Sequence, residues 1–243
     1  MKLFLFPFAG GSANYFMSWK TLFNNNSIDI EPVELAGRGK RISDPLYNSI
    51  SEAINDVYEW MIAENKLIHD SFAFFGHSMG GIIAYELAHK LLSTRNLLPE
   101  HLFLSGINPP HLKRKHLHVD SLNDQELLEE IIHLGGTPKE LLENKELLDY
   151  FMPIIRSDFK IVEEYQYKEK RSTLDIPLSL LNGKDDSFEQ HEIEAWRDYT
   201  NQSAFIEYYE GGHFYLNQQS QELAEYISQM LSASYGKKTN ILS

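Results

Sequence analysis

Apolar residues fall into short clusters separated by polar stretches. Six clusters read as strands, near residues 2–7, 28–34, 71–75, 101–105, 176–181 and 204–209. Short apolar and aromatic runs bounded by turn residues suit buried strands. Between most of them the apolar positions recur at helical spacing. Gly81 to Leu92 shows it directly after the third cluster. Ser49-Ile50-Ser51-Glu52 has the form of a capping box and predicts an amphipathic helix through Asn65. Strands alternating with helices imply a parallel sheet with helices on both faces. No internal repeat or low-complexity stretch interrupts this pattern.

The interval from Ser105 to Ile176 differs. It holds about seventy residues, too many for a structureless loop inside a compact domain. Asn123 to Leu134 has helical spacing and stops at Gly135-Gly136. Thr137-Pro138 reads as a cap followed by a first-turn proline. Leu147, Leu148, Phe151, Ile154, Ile155, Phe159 and Val162 continue an apolar face, with a break expected at Pro153. The expectation is one domain over residues 1–243, with a helical lid insertion at about 108–172. Such a lid would enclose an acyl chain and restrict water.

Composition narrows the class. A chain of 243 residues suffices for one core, and no apolar run is long enough for a membrane span. The N-terminus opens on a strand without the layout of a signal peptide. Zero cysteines exclude disulfides and a cysteine nucleophile, and fit a cytoplasmic location. A net charge of −13 argues against nucleic acid as a partner. No Cys/His spacing suggests zinc, and no Gly-x-x-x-x-Gly-Lys loop occurs.

The chemistry concentrates at strand ends. Gly76-His77-Ser78-Met79-Gly80 lies between the third strand and the following helix. A serine there sits on a sharp turn that lifts its hydroxyl clear of the sheet, the nucleophile elbow of an α/β-hydrolase. In that fold an acid and then a histidine follow, each after its own strand. Asn182-Gly183-Lys184-Asp185-Asp186 ends the fifth strand, and Glu210-Gly211-Gly212-His213 ends the sixth. Ser78, Asp186 and His213 thus form a candidate triad. Asp186 is preferred because it clears the strand end, whereas Asp185 suits a turn. Imidazole titrates near neutrality and can take the serine proton, and the aspartate fixes its tautomer. The first strand runs into Phe8-Ala9-Gly10-Gly11, so the backbone N–H groups of Ala9 and Met79 are the candidate oxyanion hole, with Phe8 as the alternative to Ala9. If that strand feeds the oxyanion loop, the sheet is a compact variant lacking two N-terminal strands. His77 is read as structural. His111 to His118 and Gly37 to Arg41 are read as solvated basic loops, with docking of an acidic partner or phosphate as the alternative.

Phe6-Pro7-Phe8-Ala9-Gly10-Gly11, Glu34-Leu35-Ala36-Gly37-Arg38-Gly39-Lys40-Arg41 and Phe75 to Gly81 resemble the type II thioesterases of nonribosomal peptide and polyketide synthetases. Pro109-Pro110-His111, Leu134 to Pro138, Arg156-Ser157-Asp158 and Gly211-Gly212-His213-Phe214 extend the resemblance, which runs from Phe4 to about Leu231. It is most like the stand-alone enzymes of Bacillus-type antibiotic and lipopeptide synthetases. Leu35-Ala36-Gly37 departs from the proline that the family more often carries before the glycine.

The resemblance implies hydrolysis of misprimed or stalled short acyl groups from the phosphopantetheine arm of carrier domains. It implies no metal or redox cofactor, Ser78 as nucleophile, Asp186 as acid and His213 as base. A soluble monomer is expected. A chain-releasing medium-chain thioesterase, a general carboxylesterase and a binding-only hydrolase fold are the rivals. The last predicts a broken triad.

Overall fold

The computed structural model describes residues 1–23, 28–67, 71–112, 117–136, 143–168 and 173–239, with 234–239 described by backbone alone. Six strands form one sheet in the order β2-β1-β3-β4-β5-β6. They are β1 (Lys2–Phe6), β2 (Asp29–Pro32), β3 (Phe72–His77), β4 (Leu102–Ser105), β5 (Leu178–Gly183) and β6 (Ala204–Tyr209). All five adjacent pairs are parallel. Each strand matches one of the six apolar clusters, and the architecture is that of an α/β-hydrolase.

Alternation of side chains explains why the sheet is covered twice. Phe4, Phe6, Phe74, Leu102, Leu104, Leu178 and Leu180 face one layer, with helices α1 (Ile50–Ala63) and α2 (Met79–Arg95). Leu3, Leu5, Ala73, Phe75 and Phe103 face the other, against a 310 segment (Ala13–Thr21) and the C-terminal helix. Strands buried on both faces read as continuous apolar runs, which is how they stand in the sequence. Because the strands are parallel, the residues that follow β1, β3, β5 and β6 all emerge at one edge. Ligands of open α/β sheets bind outside that edge.

Local signals set most helix ends. Ser49 Oγ accepts the Glu52 N–H at 3.2 Å, but the Glu52 carboxylate accepts from Asn48 N–H at 2.7 Å rather than from Ser49. The cap is therefore one-sided, and α1 stops at Ala63, short of Asn65, whose φ of 52° is left-handed. Helix α3 (Asp124–Leu134) has a reciprocal box between Asn123 and Glu126 and ends on left-handed Gly135. Helix α4 (Lys145–Glu163) runs through Pro153 without the expected break. An interior proline costs about 3 kcal/mol. Burial of Met152, Ile154, Ile155 and Ile161 offsets it, at about 1.5–3 kcal/mol for each apolar side chain. Thr137-Pro138 lies outside the described residues. Helices α3 and α4 share a small core of their own, with Val119, Leu127, Ile131, Met152 and Ile155. Helices α5 (Gln190–Glu194) and α6 (Ser220–Thr239) complete the described α-helices. No described helix is long and apolar enough to cross a membrane.

Candidate active site

Ser78 separates β3 from α2 with φ 53° and ψ −117°, a conformation L-residues rarely adopt. Its N–H donates to Ser105 O at 2.8 Å, tying the turn to β4. The two flanking glycines are required by contact. A Cβ on Gly76 would stand 2.2 Å from Gly80 O, and one on Gly80 would stand 2.1 Å from Phe6 O. The second contact shows how closely the start of α2 lies against the end of β1. Strain of this kind persists only where surrounding structure enforces it, and it clusters at functional sites.

The loops after β5 and β6 fold together. Lys184 N–H donates to Tyr209 O and Asp185 N–H to Gly211 O, at 2.8 and 3.0 Å. His213 Nδ1 lies 2.8 Å from Asp186 Oδ2, and the two side chains are 10% and 4% exposed. Asp185 is an exposed turn residue. The structure thus brings His213 together with Asp186 and not with Asp185. The His213 ring lies 4.9 Å from that of His77, the residue before Ser78. All three candidate residues stand at the same sheet edge.

His77 is fully buried. Its Nδ1 lies 2.8 Å from Ser105 Oγ, which in turn lies 2.7 Å from Tyr215 OH. Burial first, then the adjacent His213, holds its pKa well below the ordinary imidazole value. Kept neutral, the His77 ring packs against that of His213. Ser105 and Tyr215 escaped the sequence reading. Their only signal was a polar residue closing an apolar strand and a tyrosine two positions after the histidine.

Met79 opens α2, where the first N–H groups of a helix have no intrahelical acceptor. The Ala9 loop passes beside it. Phe8 O accepts Gly11 N–H at 2.9 Å, making a tight turn, and the Phe8 ring sits edge-on to Phe214 at 4.7 Å. A largely apolar cleft of about 540 Å³ opens from this loop toward α3 and α4, lined among others by Ala9, Leu134, Phe151, Ile155, Phe159 and Phe214. A wider groove of about 1050 Å³ lies between His118 and Tyr167, and neither it nor the cleft is lined directly by Ser78, Asp186 or His213. The smaller cleft is the one tied to the site, through Ala9 and through Phe214 beside His213.

A further expectation, at the second basic run, is overturned in part. Gly37 to Arg41 is a solvated basic run only at Lys40, which is exposed, and not at its two arginines. Arg38 is 1% exposed and paired with Asp158, while Arg41 pairs with Asp44 and Asp56. Asp158 and Asp56 lie 120 and 15 positions away, beyond what local composition could reveal, whereas Asp44 is only three residues from Arg41. In the other run, residues 113–116 lie outside the described ones, and His111 stacks on Tyr199 at 5.7 Å. No group of three or more potential metal ligands occurs among the described residues.

Comparison with known proteins gives the family. The chain is 35% identical over 235 residues to the linear gramicidin dehydrogenase LgrE of Brevibacillus parabrevis, covering 95% of this chain and 88% of that protein. The medium-chain S-acyl fatty acid synthase thioesterase of Homo sapiens is 35% identical over 239 residues, with 96% and 88% covered. The crystal structure of ClbQ from the colibactin NRPS/PKS pathway superposes with a TM-score of 0.90 at 34% identity, covering 96% of this chain and 98% of that one. The word dehydrogenase finds no counterpart at this site. The turn after β1 lacks the Gly-x-Gly-x-x-Gly spacing of a dinucleotide fingerprint, and Gly10 N–H is already bound to Asp158. The family described as thioesterase domain matches residues 1–231, and with an α/β-hydrolase sheet, a strained serine elbow and a His213–Asp186 pair at one edge, this chain belongs to the thioesterase family.

Proposed function

We propose that the protein hydrolyses acyl thioesters carried on the phosphopantetheine arm of synthetase carrier domains, removing misprimed or stalled short acyl groups. The observation that carries the reading is the His213–Asp186 contact at the edge where Ser78 stands. Asp186 accepts a hydrogen bond from His213 Nδ1–H, which leaves Nε2 free to take a proton. Ser78 Oγ bonds to the thioester carbonyl carbon as its proton passes to His213. The carbonyl oxygen becomes an oxyanion facing the N–H groups of Ala9 and Met79. The C–S bond then breaks, and His213 returns the proton to the departing thiol. Water next gives a proton to His213 and attacks the acyl-enzyme, which releases the acid and restores Ser78. No step calls for a metal or redox cofactor.

Helices α3 and α4 act in this reading as the lid over the cleft, within an insertion spanning about 108–172 of the single domain 1–243. The protein works as a cytoplasmic monomer with carrier domains as partners. The apolar cleft favours a second reading, a medium-chain acyl thioesterase, since about 540 Å³ is larger than an acetyl group requires.

The test is kcat/KM for acetyl to dodecanoyl groups, each on a carrier domain and on coenzyme A, at low and high salt. Editing predicts preference for carrier over coenzyme A and for short chains. A preference for longer acyl groups on either form selects the second reading. Equal rates on carrier and coenzyme A at all lengths reject both in favour of a general thioesterase. Lys113, Arg114 and Lys115, outside the described residues, are the proposed complement to an acidic carrier. Their triple alanine variant should lower the carrier preference at low salt.

A further inference from the structure

Two motifs remain unused by the chemistry above, Gly37-Arg38-Gly39 and Arg156-Ser157-Asp158. The structure joins them. Arg38 and Asp158 form a two-pronged ion pair, NH1 to Oδ2 at 2.6 Å and NH2 to Oδ1 at 2.8 Å, with both side chains 1% exposed. Asp158 Oδ2 also accepts Gly10 N–H at 2.8 Å. Arg38 NH1 donates to Gly11 O at 3.0 Å and its Nε to Ala36 O at 3.2 Å. The pair therefore pins three segments at one point: α4, the loop after β2 and the glycine loop after β1.

A buried ion pair is a poor source of stability. Desolvation offsets its attraction, and apolar replacements of equal volume are often neutral or stabilising. The geometry points to a positioning role. Gly10 N–H, Gly11 O and Phe8 O are all fixed, the last by Gly11 N–H at 2.9 Å. Phe8 C=O and Ala9 N–H belong to one trans peptide plane and point in opposite directions. Fixing one aims the other. Ile155, one turn before Asp158, presses on Gly10 from the same helix, where a Cβ would stand 2.7 Å from Ile155 Cγ1.

We propose that Arg38 and Asp158 form a latch by which α4 positions the Ala9 N–H for oxyanion binding, making both positioning residues for turnover. This rests on the reading of Ala9 as an oxyanion donor. It also makes the site depend on α4 being seated: a helix lifted from the edge would release Gly10 and misalign the donor.

The experiment compares wild type, Asp158→Asn, the apolar double variant Arg38→Met/Asp158→Leu, and Ser78→Ala. For each, kcat and KM for an acyl thioester are measured with thermal unfolding and circular dichroism. Inhibition by an alkyl trifluoromethyl ketone, whose serine adduct places an oxyanion in the hole, is measured alongside. The latch predicts kcat about 10²-fold lower in both latch variants, the scale of one lost oxyanion donor, with KM within about threefold. It predicts a matching loss of ketone affinity. The double variant keeps the test decisive where the single one leaves little folded protein. Folded latch variants with kcat and ketone affinity within about threefold of wild type overturn the latch. So does a kcat loss that merely tracks the unfolded fraction. Undiminished turnover in Ser78→Ala sinks the serine mechanism itself, whereas a dead Ser78→Ala beside fully active latch variants sinks the latch alone.

Discussion

Replacing Gly80 with alanine tests whether the contact between the start of α2 and the end of β1 sets the rate. An alanine Cβ there stands 2.1 Å from Phe6 O, 2.6 Å from Phe6 C and 2.7 Å from Pro7 O. All three are backbone atoms, so no rotamer change relieves the clash. Moving the closest contact from 2.1 Å to at least 3.0 Å opens the gap by about 0.9 Å. That gap separates the loop bearing Ala9 from the helix start bearing Met79, so the two proposed oxyanion donors part. A misplacement of about 1 Å costs on the order of 10²-fold in rate, or about 2.7 kcal/mol of barrier. Overpacking also costs about 1–3 kcal/mol of stability, which lowers Tm by about 2–12 °C in a domain of this size. Gly81→Ala is the comparison, since its Cβ would meet the Ile107 side chain at 3.1 Å (Cγ2) and 3.3 Å (Cδ1) and Gly76 O at 3.3 Å, with no contact under 3.0 Å. Its kcat should fall less than about threefold. Turnover of an acyl thioester, followed by thiol release on folded protein, reads both. Equal losses in the two variants, or a fully active Gly80→Ala, would refute the reasoning.

Three further outcomes are expected. Asp186→Asn should lower kcat by about 10⁴-fold through the wrong His213 tautomer, while Asp185→Asn, exposed and held by its backbone, stays within about twofold; the reverse order of effects in steady-state kinetics moves the acid to Asp185. Leu127→Ala empties part of the small α3–α4 core and should cost about 2–5 kcal/mol. Hydrogen exchange should show the loss as faster opening of α3 with unchanged protection in β1 and β3, and uniform loss across all strands would contradict a separate lid core. Burial pushes the His101 imidazole down to about 3, while an unfolded chain binds that proton near pH 6.5. The associated stability is whole above about pH 6.5 and is lost as pH falls toward 3, because only the unfolded state takes the proton. His101→Phe keeps a ring beside Phe103 and should shrink the loss between pH 6.5 and 5 by about 2 kcal/mol in urea titrations; an identical slope in both proteins rejects this.

What was legible in the sequence is what neighbours along the chain decide. Apolar runs became strands because both faces of the sheet are covered, and Asn123 with Gly135 bounded α3 because caps act within one turn. The placement of the three candidate residues, Ser78, Asp186 and His213, was readable because each follows its own strand. Pairing between distant segments was not. Arg38 and Asp158 lie 120 positions apart, so Arg38 looked like one more surface cation until α4 was laid against its loop. Pro153 looked like a stop because proline's local cost is visible in the sequence and the burial that outweighs it is not. The distance from His213 to Asp186 likewise depends on how the loops after β5 and β6 lock together. Local rules act through backbone geometry within a few residues. Burial, charge pairing and the aim of the loop after β1 depend on which surfaces meet, and only the tertiary structure decides that.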